Sequence, residues 1–163
     1  MGAYLSEKNA IVGALAPIAA GSTVTMNSTP VNMKDYRRLN ILYYFGAKSS
    51  TAVVTVQCGT DTSLGTAINF RYQVAGSATT AASVLTGAMT SVGAATGITL
   101  AATADSYKIY CIEVLDTDCG TAGPYVGALC GSASGTANVV AIVNILSDAR
   151  YPKAVPASSL LIA

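Results

Sequence analysis

Histidine and tryptophan are both missing from this chain, and charge is scarce: 9 Lys+Arg and 8 Asp+Glu make up only 10% of the residues. Soluble domains ordinarily carry about 25% charged residues. Without histidine there is no Ser-His or Cys-His nucleophile and no mixed Cys/His metal site. The 33 positions between Arg71 and Asp105 hold no charged side chain at all. A chain of this kind has to cover its surface with Ser, Thr, Gly and Ala, or with copies of itself.

Long apolar runs are lacking too, although 52% of the residues are hydrophobic and the mean hydropathy is +0.49. The longest, Ala10 to Ala20, has 11 residues and contains Pro17, well short of the roughly 20 residues that span a bilayer as a helix. As the core of a signal peptide it is poorly flanked. Glu7 sits where basic residues belong, and Pro17 or Ile18 falls where a small residue is needed before cleavage. The segment reads as a short helix or arm over residues 1–22, with Ser6 as N-cap and Pro17 ending the helix. Net charge is +1, so neither a nucleic acid nor a membrane surface is expected as a partner.

No catalytic, cofactor-binding or metal-binding residue is assigned, and no cofactor is expected. No glycine-rich run ends in Gly-Lys-Ser or Gly-Lys-Thr, which rules out a phosphate-cradling loop. Gly131-Ser132-Ala133-Ser134-Gly135 has the outline of a nucleophile elbow, but alanine occupies the nucleophile position. Asp116-x-Asp118 begins like a calcium loop and then fails, since Gly120 and Gly127 stand where ligands are required. Asp at such positions commonly caps a turn. Glu113 and Asp116 could in principle serve as acid and base, but nothing else in the sequence places a substrate beside them. The chain is not expected to be an enzyme.

Cys58, Cys111, Cys119 and Cys130 are spaced too far apart for a C-x-x-C zinc site. Cys111 reads as a small buried hydrophobe. Cys119 and Cys130 flank a candidate hairpin and could bridge, whereas synthesis in a reducing cytoplasm favours four free thiols.

What the sequence does contain is strand pattern. From Ala67 to Val74, Ile68, Phe70, Tyr72 and Val74 face one way and Asn69, Arg71 and Gln73 the other. Ala52 to Cys58 alternates likewise, and the turn-rich residues 59–66 between the two suit a hairpin. Leu39 to Phe45, Tyr107 to Leu115 and Val139 to Leu146 predict deeply buried strands. Val24 to Met26, Ile98 to Ala101 and Tyr125 to Leu129 are weaker ones, and Ala75 to Ala104 reads as a long crossing connection. The fold expected is all-β, an antiparallel β-sandwich or jelly roll. Residues 23–152 form one domain of it, and 153–163 form an extended C-terminal arm. At 16.4 kDa, folding buries roughly 70% of the extended surface. Arg37, Arg38, Arg150 and Tyr151 combine cation and aromatic in the way of interface anchors. The arm's Leu160, Leu161 and Ile162 call for a surface to pack on.

Two stretches carry a family resemblance. One runs from Tyr4-Leu5-Ser6-Glu7-Lys8 through Ala14-Leu15-Ala16-Pro17 to Met33-Lys34-Asp35-Tyr36-Arg37-Arg38. The other is Leu146-Ser147-Asp148-Ala149-Arg150-Tyr151-Pro152. They resemble the small structural proteins encoded among the head genes of tailed bacteriophages. The resemblance is specific in about a quarter of the chain, as short strings. It implies a virion protein made in the host cytoplasm. Such a protein is a decoration or cement subunit, favoured as a homotrimer, that binds the major capsid protein lattice and stabilises the head. A tail or fibre subunit, or a secreted adhesion module with oxidised cysteines, is the alternative.

Overall fold

The computed structural model describes residues 9–20, 26–75, 85, 88–132 and 138–150. They build eleven strands and one helical turn. In chain order these are β1 (Ala10–Ala20), β2 (Val31–Asn32), β3 (Tyr36–Phe45), β4 (Ala52–Gly59), β5 (Thr66–Ala67), β6 (Phe70–Ala75), β7 (Thr90–Val92), β8 (Ile98–Leu100), β9 (Ile109–Leu115), α1 (Asp116–Cys119), β10 (Tyr125–Ser132) and β11 (Asn138–Ala149). The protein is all-β and its strand pairs are antiparallel. One sheet has the order β1-β11-β3-β9-β6-β7, the other β2-β10-β4-β5 with β8 also on β4. The chain passes from one sheet to the other at nearly every connection.

Alternation in β3 places Leu39, Ile41, Tyr43 and Phe45 in the core and leaves Asn40, Leu42 and Tyr44 outside. Val54, Val56 and Cys58 of β4 and Val126, Ala128 and Cys130 of β10 face them from the second sheet, all buried. The Tyr43 hydroxyl donates across the gap to the Ala128 carbonyl at 3.1 Å, which lets a large polar side chain be buried without an unmet donor. The Tyr43 and Phe45 rings stack at 5.7 Å, and Tyr110 meets Phe45 edge-on at 5.9 Å.

Three expectations change. The segment at 10–20 is neither a helix nor a detached arm: β1 pairs with β11 from Ala10↔Leu146 to Ala20↔Asn138. Two register shifts, at Ile11/Ala14 and Leu15/Ile18, bracket Gly13 (φ 65°) and Pro17. An edge strand tolerates proline because one side of it needs no ladder donor. The run from 67 to 74 is two strands. β5 closes the expected hairpin on β4 and then the chain crosses, so Ile68 and Phe70 are buried while Val74 is 41% exposed at the far end of β6. The long connection carries β7 and β8; residues 76–84 lie outside the described residues.

Lys48, in the β3–β4 loop, is only 4% exposed. Its Nζ lies 4.9 Å from the centroid of the Phe45 ring and has no hydrogen-bond partner among the described residues. Burial pushes its pKa below the ordinary value, while Cys130 and Asp105 act to raise it. A Lys48→Met variant keeps the apolar stem and removes the buried cation. It is expected to be more stable than the parent by about 1–3 kcal/mol at pH 7 in urea unfolding. The unfolded chain binds the extra proton in the window below the ordinary pKa of 10.5, so the lysine's penalty fades as pH rises through that window. The gain from methionine shrinks accordingly in alkaline solution, and a gain that grew with pH would contradict this account.

Candidate functional site: the charged end of the six-stranded sheet

Register determines what stands beside what on the outer face of this sheet. Asn40 pairs with Glu113, and Arg71 pairs with Glu113 from the other side. Arg38, two residues before Asn40, reaches the same carboxylate. The result is a ladder across four strands. Arg38 Nη1 lies 3.3 Å from Glu113 Oε2, and Arg71 Nη1 lies 3.5 Å from Glu113 Oε1. Asp148 of β11 flanks Arg38 at 3.2 Å, and Asp118 of α1 flanks Arg71 at 3.8 Å. Arg38 Nε faces Asp148 without the alignment of a hydrogen bond. Arg150 Nη2 donates to Asp116, and its backbone N–H to the Asp35 carbonyl at 2.8 Å.

The helical turn α1 places both acids. Asp118 Oδ2 accepts the Leu115 N–H at 2.9 Å, so Asp116-x-Asp118 does turn chemistry while also pairing with arginine. A disulfide between Cys58 and Cys119 ties α1 to β4 of the opposite sheet, with Cα atoms 5.9 Å apart. The pairing differs from both cysteine expectations: Cys119 does not bridge Cys130, and the thiols are not all free. Cys119 leaves β9 through α1 toward the second sheet, whereas Cys130 sits within β10. Cys111 and Cys130 are buried free thiols. Burial raises the Cys130 pKa to about 11, Lys48 acting weakly against it. Gly123 (φ 121°) permits the close approach, since a Cβ there would overlap the Gly59 carbonyl.

At the other end of the sheet, Asp105 accepts from Tyr110 Oη at 2.7 Å, Lys108 Nζ at 3.0 Å and the Ala101 N–H at 2.7 Å. Burial pushes its carboxyl pKa up, but these bonds prevail and hold it below the ordinary value. Tyr110 is raised, first by burial and then by Asp105. An open cleft of about 360 Å³ lies between β6, β7 and α1, beside Arg71 and Asp118. Among the described residues no group of three or more His, Cys, Asp or Glu could hold a metal.

Of the residues expected to act as anchors, Arg38 and Arg150 are held within the domain by acids, and Arg37 is exposed on β3. Tyr151, Leu160, Leu161 and Ile162 lie outside the described residues. The ladder brings in Arg71, Asp118 and Asp148, none of them expected at an interface. Arg71 at a polar position of its strand was the available signal, but its pairing with Glu113 requires strand order. Glu113, an acid–base candidate by sequence, is held between two arginines. Comparison with protein-family models finds no match to this chain, and comparison with curated proteins finds none either.

Without reduction, a denatured sample is expected to alkylate at two cysteines, Cys111 and Cys130, and with reduction at four; four without reduction would disprove the bridge. For the 61-residue separation, loop entropy predicts that the Cys58→Ser/Cys119→Ser double variant loses roughly 4 kcal/mol. Glu113→Gln leaves two arginines facing each other. It is expected to lose about 1 kcal/mol, since both arginines are more than a third exposed. The loss shrinks in molar salt.

Proposed function

We propose that the chain is a structural protein of a tailed-phage virion, most simply a decoration protein that binds the assembled head and stabilises it. What carries the reading is how this surface uses its few charges. The acids and bases at one end of the sheet neutralise one another, and the middle of that face is uncharged, with Leu42, Tyr44, Val143 and Ile145 beside Asn40 and Gln73, as in the charge-depleted centre of a protein interface. The head-protein strings around Tyr36-Arg37-Arg38 and Ala149-Arg150-Tyr151 point the same way. The mechanism is stoichiometric: a subunit that binds only the assembled shell stabilises it by mass action. The N-terminal segment, Arg37 and the arm from 153 to 163 are the proposed shell contacts, and a homotrimer is the assembly that the resemblance favours.

A second reading, a secreted or surface adhesion module, is favoured by one observation, the Cys58–Cys119 disulfide. Bridges of this kind persist in oxidising surroundings.

Quantitative mass spectrometry of gradient-purified phage particles is expected to find the chain at a fixed copy number relative to the major capsid protein. Isolated heads should lose it when residues 153–163 are deleted. Recovery of the chain only free of particles, in the medium, would reject the virion reading and leave the adhesion module.

A further inference from the structure

We propose that the Cys58–Cys119 disulfide is a redox latch, whose thiol–disulfide state sets how firmly Arg150 is held to the domain, and with it the base of the segment 151–163. The relay is short. Cys119 is the last residue of α1 and the one residue of that four-residue turn that is buried, so α1 reaches the core through the bridging side chain. Asp116, the first residue of α1, accepts from Arg150 Nη2. Arg150 follows directly on β11, whose pairing with β3 ends at Ala149↔Tyr36. Its backbone N–H bonds the Asp35 carbonyl at 2.8 Å, and the two contacts together fix the end of the strand.

Without the bridge, what holds α1 is weak. One helical turn has no stability of its own, because nucleating a helix is unfavourable. The Leu115 N–H bond to Asp118 lies within the same segment and ties the turn to no other element. The Asp118–Arg71 pair spans 3.8 Å, and the Arg150 side chain is 41% exposed; ion pairs in such settings contribute little. Both flanks are secured independently. Val114 is buried in β9, Ala122 packs on the core, and the Pro124 carbonyl accepts the Met33 N–H at 2.8 Å. The segment from Leu115 to Gly120 is therefore a small unit that can open by itself. With the bridge closed it stays on β4. With the bridge open it leaves more often, and each opening takes Asp116 away from Arg150.

Access differs between the two sulfurs, since Cys119 is 7% exposed and Cys58 fully buried. The thiolate of reduced glutathione attacks Cys119 Sγ, the S–S bond breaks, and Cys58 leaves as a thiolate that takes up a proton. A second glutathione thiolate then displaces the first, giving oxidised glutathione and two protein thiols. Oxidised glutathione runs the same steps backwards: it accepts the two electrons and closes the bridge. A chain in a reducing compartment thus has the latch open, and one in oxidising surroundings has it closed. This inference rests on the fold alone and is independent of what residues 151–163 bind.

Hydrogen exchange of the Arg150 amide, read by NMR on the full chain with no phage particle present, tests the latch apart from the virion reading. The folded chain is incubated with reduced glutathione, and opening of the bridge is checked as four thiols on denaturation in place of two. Arg150 is then expected to exchange at least tenfold faster than in the oxidised chain. The Ile41 amide, on β3 between β9 and β11, is the reference and is expected to stay slower than Arg150 in both states. Asp116→Asn should speed Arg150 exchange with the bridge still closed, which separates the relay from a general loss of stability. Four results would overturn the proposal: a bridge that glutathione leaves closed, an Arg150 rate unchanged by reduction, equal rates for Arg150 and Ile41 in the reduced chain, or an Asp116→Asn rate equal to the parent's.

Discussion

The covalent tie between Cys58 and Cys119 is the constraint on which the functional end of the molecule depends. It holds a single helical turn, too short to be stable alone, against the end of β4. That turn carries Asp116 and Asp118, which in turn hold Arg150 and Arg71. A Cβ at Gly123 would overlap the Gly59 carbonyl and keep the two loops apart, while a Cβ at Gly59 would run into the Leu64 backbone of its own turn. Remove the tie, and the side chains of α1 keep the Leu115 N–H bond to Asp118 and the arginine pairs of Asp116 and Asp118, without the anchor to β4. The disulfide thus does two things at once: it joins the sheets and it orders the electrostatics of one sheet's outer surface.

Scarcity of charge explains much of the rest. With so few ionic groups, the protein spends most of those near α1 on one another. Glu113 is held between Arg38 and Arg71, and its cross-strand neighbours are set by register rather than by nearness in sequence. Elsewhere the described surface carries only scattered charges, such as Lys34, Arg37, Asp61 and the Asp105–Lys108 pair. Lys48 stands apart as a buried cation, folded back over Phe45 at the opposite end of the core. It costs stability in return for nothing that the described residues reveal.

The fold class was legible because period-two alternation is a local property. Leu39 to Phe45 and Ala52 to Cys58 announce their buried faces in any all-β arrangement. The ladder was not legible, because Arg38, Glu113, Arg71 and Asp148 lie far apart in the chain and meet only when β11, β3, β9 and β6 lie side by side. The disulfide failed for the same reason: the expected hairpin was local, and the real pairing spans 61 residues. Proline misled the reading of 10–20. Pro17 does end helices, but at a sheet edge with a register shift it is accommodated, and the ladder along β11 decides the conformation.

The path of the chain between the two sheets bears on how the protein comes to be folded. β1, β3, β6, β9 and β11 belong to one sheet, and β2, β4, β8 and β10, which fall between them, to the other. Few adjacent segments can pair as they emerge during synthesis. β3 must wait for β9 and β11, and β4 for β10. Topologies dominated by such distant pairings fold over milliseconds to seconds rather than microseconds. During that interval β11, nearly continuous in apolar residues, has no neighbour. A newly made chain is therefore most vulnerable to mispairing just before its last strand docks, and whatever shields that strand governs how much native protein is recovered.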